Sequence, residues 1–179
     1  MRDIPGLLRL INGFAAEGIM LPRTEFEIAE NIRDFSVIHE GEHLAGCAAL
    51  HFYTPLAGEI RSLAVERESQ KRQAGRRLVE ALVAEAKAFA LQSVFAFTYI
   101  PAFFQKLGFT EIERGELPLK AWKDCLRCPK FQCCDEIAVI KPLEGPEMRV
   151  ADTLICGILS PDDRTPANGG SGLPIIKPR

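Results

Sequence analysis

The sequence has no strong excess of charge of either sign and no long apolar run. Its 22 lysines and arginines nearly balance 24 aspartates and glutamates, which leaves a net charge of -2 at pH 7. This balance gives no electrostatic reason to expect nucleic acid or an anionic membrane as a partner. The apolar runs are also too short to span a bilayer, and the first residues, MRDIPGLLRL, lack the features of a signal peptide. We therefore expect a cytoplasmic protein.

Histidine is scarce, with three residues in a chain of 179. His39, His43 and His51 do not stand at the spacing of a metal site, and we interpret them as structural or surface residues. No Cys–His or Ser–His pair can be placed at one site, so the sequence gives no reason to expect an acyl-enzyme intermediate.

Cysteine, in contrast, is concentrated near the end of the chain. Four of the six cysteines form the dense pattern Cys125-x2-Cys128-x4-Cys133-Cys134. Four thiolates could hold a zinc ion tetrahedrally. However, structural zinc sites usually pair two CxxC units, and two adjacent cysteines rarely both bind one ion. We predict reduced thiols and no metal, with zinc as the open alternative.

The apolar pattern predicts an α/β domain over residues 1–143. A first helix begins after Asp3 and ends before Gly18, and a second begins at the capping box of Thr24 and Glu27 and continues to Phe35. The further predicted strands are 36–39, 44–53, 58–65, 94–99 and 136–140, and the further helices are 75–91 and 101–107. Residues 144–179 are rich in proline and glycine, and we expect a poorly ordered tail.

A strand, a basic loop and a helix follow one another between residues 58 and 91, as in a phosphate-binding crossover unit. The loop reads QKRQAG and is followed by Arg76 and Arg77. Backbone N–H groups and the positive end of the helix dipole would favour a pyrophosphate there. The loop alone fits equally well a basic helix start that binds nothing.

With their flanks, these segments resemble the GNAT superfamily of N-acetyltransferases. The acetyl-CoA motif of that superfamily is Gln or Arg, two residues, Gly, one residue, then Gly or Ala. Gln70 and Gly75 match this motif, while Gln73 replaces its first glycine, so we expect either a strained backbone or a shifted loop at Gln73, and weaker CoA binding. The segment ending in LGF at residues 107–109 is a second match.

The resemblance implies a mixed, strongly curved sheet flanked by helices, with acetyl-CoA bound where two central strands part. The N–H of Leu63 would polarise the acetyl carbonyl, as an oxyanion donor does. The positions that the resemblance assigns to the cofactor are Leu63, Val65, Gln70, Lys71, Gln73, Ala74, Gly75, Arg76 and Phe104.

Residues 4–141 resemble, more narrowly, the short single-domain N-acetylglutamate synthases. The segments that carry this resemblance are INGFAAEGIMLPRT, GCAALHFY, GEIRSLAV, FAFTYIPAFFQKLGF and LPLKAWKDCLRCPKFQCCDEIAVI. It implies acetyl transfer to the α-amine of glutamate in arginine biosynthesis, in a ternary complex, and is compatible with a homodimer. It also implies a strand before the first helix, and the sequence begins at the helix. The alternatives are an acetyltransferase for another small amine and a non-catalytic module on a degenerate fold.

The reaction requires a base for the acceptor ammonium and benefits from an acid for the leaving thiolate. Many family members use a tyrosine on the LGF helix as the acid. Phe103 and Phe104 stand in that helix, so Tyr99, at the end of the preceding strand, is the nearest substitute. Glu59 is the candidate base.

A glutamate acceptor has two carboxylates, which favour bidentate cations. Arg61 and Arg23 are the candidate partners, and Lys106 and Lys120 are weaker ones. In a regular strand Glu59, Arg61 and Leu63 would share one face, although a bulge would change this register. The alternative is that Glu59 and Arg61 form an ion pair on a solvated face.

Overall fold

The computed structural model describes residues 1–117, 126, 128 and 130–143, and these build one mixed six-stranded sheet with helices on both faces. The helices are α1 Ile4–Ala16, α2 Glu25–Glu30, α3 Arg67–Gln70, α4 Ala74–Ala88 and α5 Pro101–Gln105. The strands are β1 Phe35–Glu40, β2 His43–Phe52, β3 Ala57–Val65, β4 Ser93–Thr98, β5 Thr110–Glu111 and β6 Ile137–Pro142. The predicted tail at residues 144–179 lies outside the described residues. Among the described helices, none has both the length and the apolar character to cross a bilayer.

The strand order is β1-β2-β3-β4-β6-β5, and only β3 and β4 run parallel. Their pairing is short, because residues 57–59 face residues 93–95 and no further pair forms between these strands. Beyond this point β3 stays with β2 and β4 stays with β6. The prediction that two central strands part is confirmed.

Two apolar clusters hold the helices to the sheet. On one face, α4 buries Leu78 and Leu82 in a cluster with Ile60 of β3 and Val94 of β4. On the other face, α1 and α2 bury their apolar stripes together with residues of β2 and β3. The buried members of this second cluster are Ile4, Leu7, Leu10, Ile11, Ile28, Leu44, Cys47 and Ala64. The helices on both faces thus fix the position of β3, which carries most of the candidate site.

The start of α2 agrees with the sequence prediction, whereas its end does not. Thr24 and Glu27 form both bonds of the capping box. The helix ends at Glu30 and is followed by a 3-10 turn, Ile32–Asp34, so that Phe35 begins β1. The prediction that the helix continues to Phe35 was wrong, because the apolar residues of two consecutive elements had been read as one stripe.

Two smaller sequence predictions also need correction. Asp3 stands at the N-cap of α1 but makes no capping bond with its side chain, and its carboxylate lies 3.0 Å from the imidazole of His39 instead. The sheet has six strands where five were predicted, because β5 is only two residues long and pairs with β6. A strand this short has too little pattern to be recognised in the sequence.

A β-bulge interrupts β3 beside the point where the strands part. Cys47 faces Ala64 and Ala49 faces Arg61, so Ser62 and Leu63 together stand opposite the single residue Ala48. Ser62 adopts φ 53°, a left-handed conformation that L-residues seldom take. The extra residue turns Leu63 to the α4 side, where it packs on the same cluster as Val65. Of the two arrangements considered from the sequence, the structure shows the bulge, and Leu63 does not share a face with Glu59 and Arg61.

Candidate active site

A cavity of about 460 Å³ opens where β3 and β4 part. Its walls are residues 59–63 of β3, residues 97–100 at the end of β4, Phe104 of α5 and the loop of residues 18–23 after α1. Four residues from the segment before β6 complete the lining, namely Cys128, Lys130, Cys134 and Glu136. A volume of this size suits a small-molecule site.

Six of the residues that the sequence analysis singled out meet in this cavity. They are Arg23, Glu59, Arg61, Leu63, Tyr99 and Phe104. The remaining cofactor candidates, Val65 and residues 70–76, lie at the end of β3 and around the start of α4, outside the cavity lining. The candidate residues thus form two groups, one in the cavity and one in the basic loop before α4, and the roles of the individual residues remain predictions.

Glu59 places a carboxylate inside the protein. Glu59 is the last residue of β3 that pairs with β4, where it lies opposite Phe95. It is 8% exposed. Acidic side chains are seldom buried to this degree without a compensating interaction or a function. The alternative of an ion pair on a solvated face does not fit this burial, nor the 14% exposure of the Arg61 side chain.

Asp34 holds the guanidinium of Arg61 beside the cavity. The Nη2 atom of Arg61 lies 3.9 Å from Oδ2 of Asp34, and the same carboxylate oxygen lies 2.9 Å from Nδ1 of His51. Asp34 thus places a negative charge beside Arg61 and links it to His51, a relation that the sequence did not suggest.

The loop that carries Arg23 is fixed to α1 by one side chain. Asn12 accepts a hydrogen bond from the Arg23 backbone N–H at 2.8 Å and donates one to the Arg23 carbonyl at 2.9 Å. These two hydrogen bonds engage both the backbone N–H and the backbone carbonyl of Arg23, as neighbouring strands do in a sheet, and they fix the backbone at this residue. The half-buried Arg23 lines the cavity from the side opposite the strands.

Tyr99 follows the last residue of β4 and has a partner that sequence reasoning missed. Its hydroxyl oxygen accepts a hydrogen bond of 3.2 Å from Nζ of Lys130. Partial burial raises the pKa of the Tyr99 phenol, and the Lys130 ammonium works in the opposite direction. Tyr99 is therefore protonated near neutral pH, as a proton donor must be.

Glu136 adds a second carboxylate to the cavity. Burial raises the pKa of this carboxyl above its ordinary value, and the nearby charge of Arg114 opposes that effect. Arg114 also donates hydrogen bonds to the backbone carbonyls of Cys134 and Glu136, which holds this segment in place. Neither residue was predicted, because only the fold brings this segment to the strand gap.

We expect Glu136→Gln to stabilise the protein at neutral pH by roughly 0.5–1 kcal/mol. The folded state holds the Glu136 proton more tightly than the unfolded chain does, so stability is highest below the ordinary pKa of 4.5 and falls as pH rises through the folded pKa. Urea unfolding at about pH 7 and about pH 4 would measure the difference. The exposed Glu113→Gln is the control, and an equal gain at both pH values would contradict the assignment.

The loop before α4 has the left-handed residue that the motif implies. Gln73 is the N-cap of α4 and adopts φ 59°, ψ 20°. Gln73 thus has the positive φ that favours glycine, and strain at this residue stays a prediction. Gln70 has a structural contact, because its side-chain amide donates to the Val65 carbonyl at 3.1 Å and ties the loop to the end of β3.

Two of the cations around this loop form ion pairs with carboxylates of the chain. Arg72 pairs with Glu40 at 2.8 Å and Arg76 with Glu80 at 2.7 Å. Lys71 is exposed, directly before the loop residues that open α4. The loop therefore combines fixed positive charge with a helix N-terminus, an arrangement that favours phosphate.

We expect Gln73→Gly to raise the free energy of unfolding by up to about 1 kcal/mol and to tighten acetyl-CoA binding, because glycine takes φ > 0 without steric cost. Urea unfolding and calorimetric titration with acetyl-CoA would measure the two effects. Ala90→Gly is the matched control: Ala90 has φ 57° and lies after α4, so it should stabilise without changing acetyl-CoA binding. Unchanged stability and affinity in Gln73→Gly would show that the loop accommodates Gln73 without strain.

The described part of the chain contains no group of three or more histidine, cysteine, aspartate or glutamate residues that could hold a metal. Cys128, Cys133 and Cys134 are free thiols there. Cys125 lies outside the described residues, so the structure does not test the four-thiol hypothesis.

Comparison with known proteins gives a consistent result. Residues 13–109 match the family model described as acetyltransferase (GNAT) family. An uncharacterized N-acetyltransferase of Chlorobaculum tepidum is 43% identical over 143 residues, which cover 80% of this chain and 92% of that protein. An amino-acid acetyltransferase of Mycobacterium tuberculosis is 32% identical over 145 residues, covering 78% of this chain and 83% of its own.

A solved structure shows the same fold. The N-acetylglutamate synthase of Neisseria gonorrhoeae, complexed with coenzyme A and N-acetyl-glutamate, superimposes with a TM-score of 0.72 at 28% identity. The match covers 80% of this chain and 33% of the Neisseria protein. With the parted strands, the bulge in β3 and the basic loop before α4, these matches establish that the chain belongs to the GNAT family of acetyltransferases.

Proposed function

We propose that this protein transfers the acetyl group of acetyl-CoA to the α-amine of glutamate, the first step of arginine biosynthesis, by direct transfer in a ternary complex. The observation that carries the proposal is the charge of the cavity. Its lining includes three cationic side chains, Arg23, Arg61 and Lys130, and two carboxylates, Glu59 and Glu136. The proposal places the reaction in the cytoplasm, in the domain of residues 1–143.

Glutamate complements this set of charges. At neutral pH it carries two carboxylates and one ammonium, which can meet the cationic and the carboxylate side chains of the lining respectively. Arginine forks bind carboxylates in bidentate fashion. A buried carboxylate such as Glu59 would attract the ammonium. The relatives named above support an amino-acid acceptor, because one is an amino-acid acetyltransferase and another was solved with N-acetyl-glutamate.

The residues around the strand gap fit acetyl-CoA. Past Glu59, β3 and β4 form no further pairs, and the gap between the two strands would admit an amide-containing ligand. The left-handed Gln73 and the start of α4 lie at the far end of this path, with Lys71 beside them. When bound, acetyl-CoA supplies an acetyl thioester, which an amine can attack.

The chain's own groups would then act in sequence. Glu59 accepts a proton from the acceptor ammonium, directly or through water, because only the neutral amine has a lone pair. The N–H of Leu63, in the bulge, stabilises the negative charge that develops on the acetyl oxygen. Tyr99 donates a proton to the leaving sulfur. A thiol has a pKa of about 8.5, so this last step needs the least assistance.

Glu136 favours a second candidate function. With Glu59 it gives the cavity two carboxylates, which would suit an acceptor with two amines. In that case the cations would be engaged with carboxylates of the protein, as Lys130 is with Asp135.

A steady-state acetylation assay over a panel of acceptors tests the proposal. We expect kcat/KM for glutamate to exceed that for glutamine by at least about 10-fold, since loss of one carboxylate leaves a cation without its partner. Aspartate serves as the control for chain length and a diamine as the test of the second function. A preference for the diamine would overturn the glutamate assignment.

A further inference from the structure

Lys130, which lines the cavity, contacts two residues through its ammonium, Tyr99 and Asp135. Nζ lies 3.2 Å from the hydroxyl oxygen of Tyr99 and 3.2 Å and 3.3 Å from the two carboxylate oxygens of Asp135. It also lies 4.9 Å from the centroid of the Tyr99 ring, which is the geometry of a cation–π contact. Asp135 thus holds Lys130 over the oxygen end of the Tyr99 ring.

The direction of the hydrogen bond follows from the chemistry of the two groups. An ammonium can only donate, so the phenol oxygen of Tyr99 must accept. The Tyr99 hydroxyl also hydrogen-bonds with the carboxylate of Asp135, which can only accept, so the hydroxyl proton is directed away from Lys130. Because Tyr99 lines the cavity, a leaving sulfur in the cavity would compete with Asp135 for this proton.

We propose that Lys130 is a positioning residue for acetyl transfer, which orients the Tyr99 hydroxyl as the proton donor to the leaving sulfur and stabilises the phenolate that remains. This inference rests on the proposed function, since it assigns a role within that reaction. It goes further because Lys130 contacts no reacting atom and acts through Tyr99.

The bonds and protons of this step balance. The C–S bond of the thioester breaks and leaves its electron pair on sulfur, the O–H bond of Tyr99 breaks, and an S–H bond forms. The phenolate, stabilised by the charged ammonium of Lys130, then takes a proton from water. No oxidant or reductant is required, and the proton released from the acceptor balances the one delivered to sulfur.

The charged groups around Tyr99 agree with this role. Partial burial raises the pKa of the Tyr99 phenol, the carboxylates of Asp135 and Glu136 raise it further, and the hydrogen bond from Lys130 lowers it. The hydrogen bonds with Tyr99 and Asp135 raise the pKa of Lys130, so its ammonium stays charged. Removal of Lys130 alone should therefore move the phenol pKa upward.

The first test does not depend on activity. The chain has two tyrosines, Tyr53 and Tyr99, so a protein labelled with ¹³C at the tyrosine ζ carbon gives two NMR signals, which Tyr99→Phe assigns. We expect Lys130→Ala to shift the Tyr99 signal and move its titration to higher pH, and Lys130→Arg to restore most of the difference. The exposed Lys87→Ala on α4 is the control and should leave the signal unchanged.

The second test is a double-mutant cycle in the acetylation assay. We expect Lys130→Ala to lower kcat by no more than Tyr99→Phe does, less than about 100-fold, with KM for glutamate nearly unchanged. In the Tyr99→Phe background the same change should cost less than about 2-fold, because the two residues act as a unit.

The possible results distinguish failure of the role proposed for Lys130 from failure of the proposed function. If Lys130→Ala raises KM equally in both backgrounds and leaves the Tyr99 titration unmoved, Lys130 binds the acceptor directly and the inference is overturned. If the titration moves but the wild-type protein acetylates no member of the panel, the proposed function fails while the coupling of Lys130 to Tyr99 stands.

Discussion

Glu59→Gln is expected to lower kcat by more than about 100-fold and to leave acetyl-CoA binding intact. The amine of a free amino acid has a pKa well above 7, so almost every acceptor that binds must lose a proton before it can attack. Glu59 is the buried carboxylate at the point where the strands part. Glutamine keeps its size and one acceptor atom but cannot accept a proton.

The comparison with Tyr99 makes this prediction specific. Tyr99→Phe should cost less than about 100-fold, because a thiolate can leave with little assistance. We expect kcat to rise with pH through a single ionisation and to show no second ionisation at which it falls sharply. The exposed Glu42→Gln, in the turn between β1 and β2, controls for general effects of a lost carboxylate. If Tyr99→Phe is the more damaging change, Tyr99 is the essential acid and Glu59 is a structural carboxylate.

Arg61→Ala is expected to lower kcat/KM for glutamate by about 30-fold to several hundred-fold, which corresponds to roughly 2–4 kcal/mol for a charge-assisted contact whose partner stays buried. The loss should appear mainly in KM, with the dissociation constant of acetyl-CoA unchanged. Steady-state kinetics with glutamate and calorimetric titration with acetyl-CoA measure the two quantities.

The controls must separate substrate binding from folding, because Arg61 also interacts with Asp34. Arg61→Lys keeps the charge and should recover part of the activity, and the exposed neighbour Arg33→Ala should have no effect. Urea unfolding reports the stability of each variant. A large loss of stability, or of acetyl-CoA affinity, in Arg61→Ala would show that Arg61 is a structural residue.

Most of the fold could be predicted from local sequence signals, because those signals involve residues that are close in the chain. The capping box of Thr24 and Glu27 fixed the start of α2, and Gly18 and Gly108, both with positive φ, follow the helices they were predicted to end. The errors arose where two elements are nearly continuous, as at Phe35. They also arose where an element exists only through its partner, as for β5 beside β6.

The part of the site that β3 and β4 contribute could be predicted, whereas the part that comes from the segment before β6 could not. Glu59, Arg61 and Tyr99 belong to two strands that the pattern identified, so their proximity followed from the predicted topology. Lys130 comes from a segment without helical or strand periodicity, and Glu136 is the first residue of the last predicted strand, whose neighbours in the sheet the sequence did not give. The bulge at Ser62 depends on how β3 pairs with β2, which no residue near Ser62 encodes.

The parting of β3 and β4 creates a strand edge in the interior of the sheet. An edge with unpaired backbone groups is normally a template for aggregation, and proteins cover such edges or shorten them. Here the edge lies between two strands that still pair at residues 57–59 and 93–95, and Phe104 of α5 and the loop of residues 18–23 line the gap beside it. The strand pairs at the closed end of the gap limit the length of edge that another protein chain could reach.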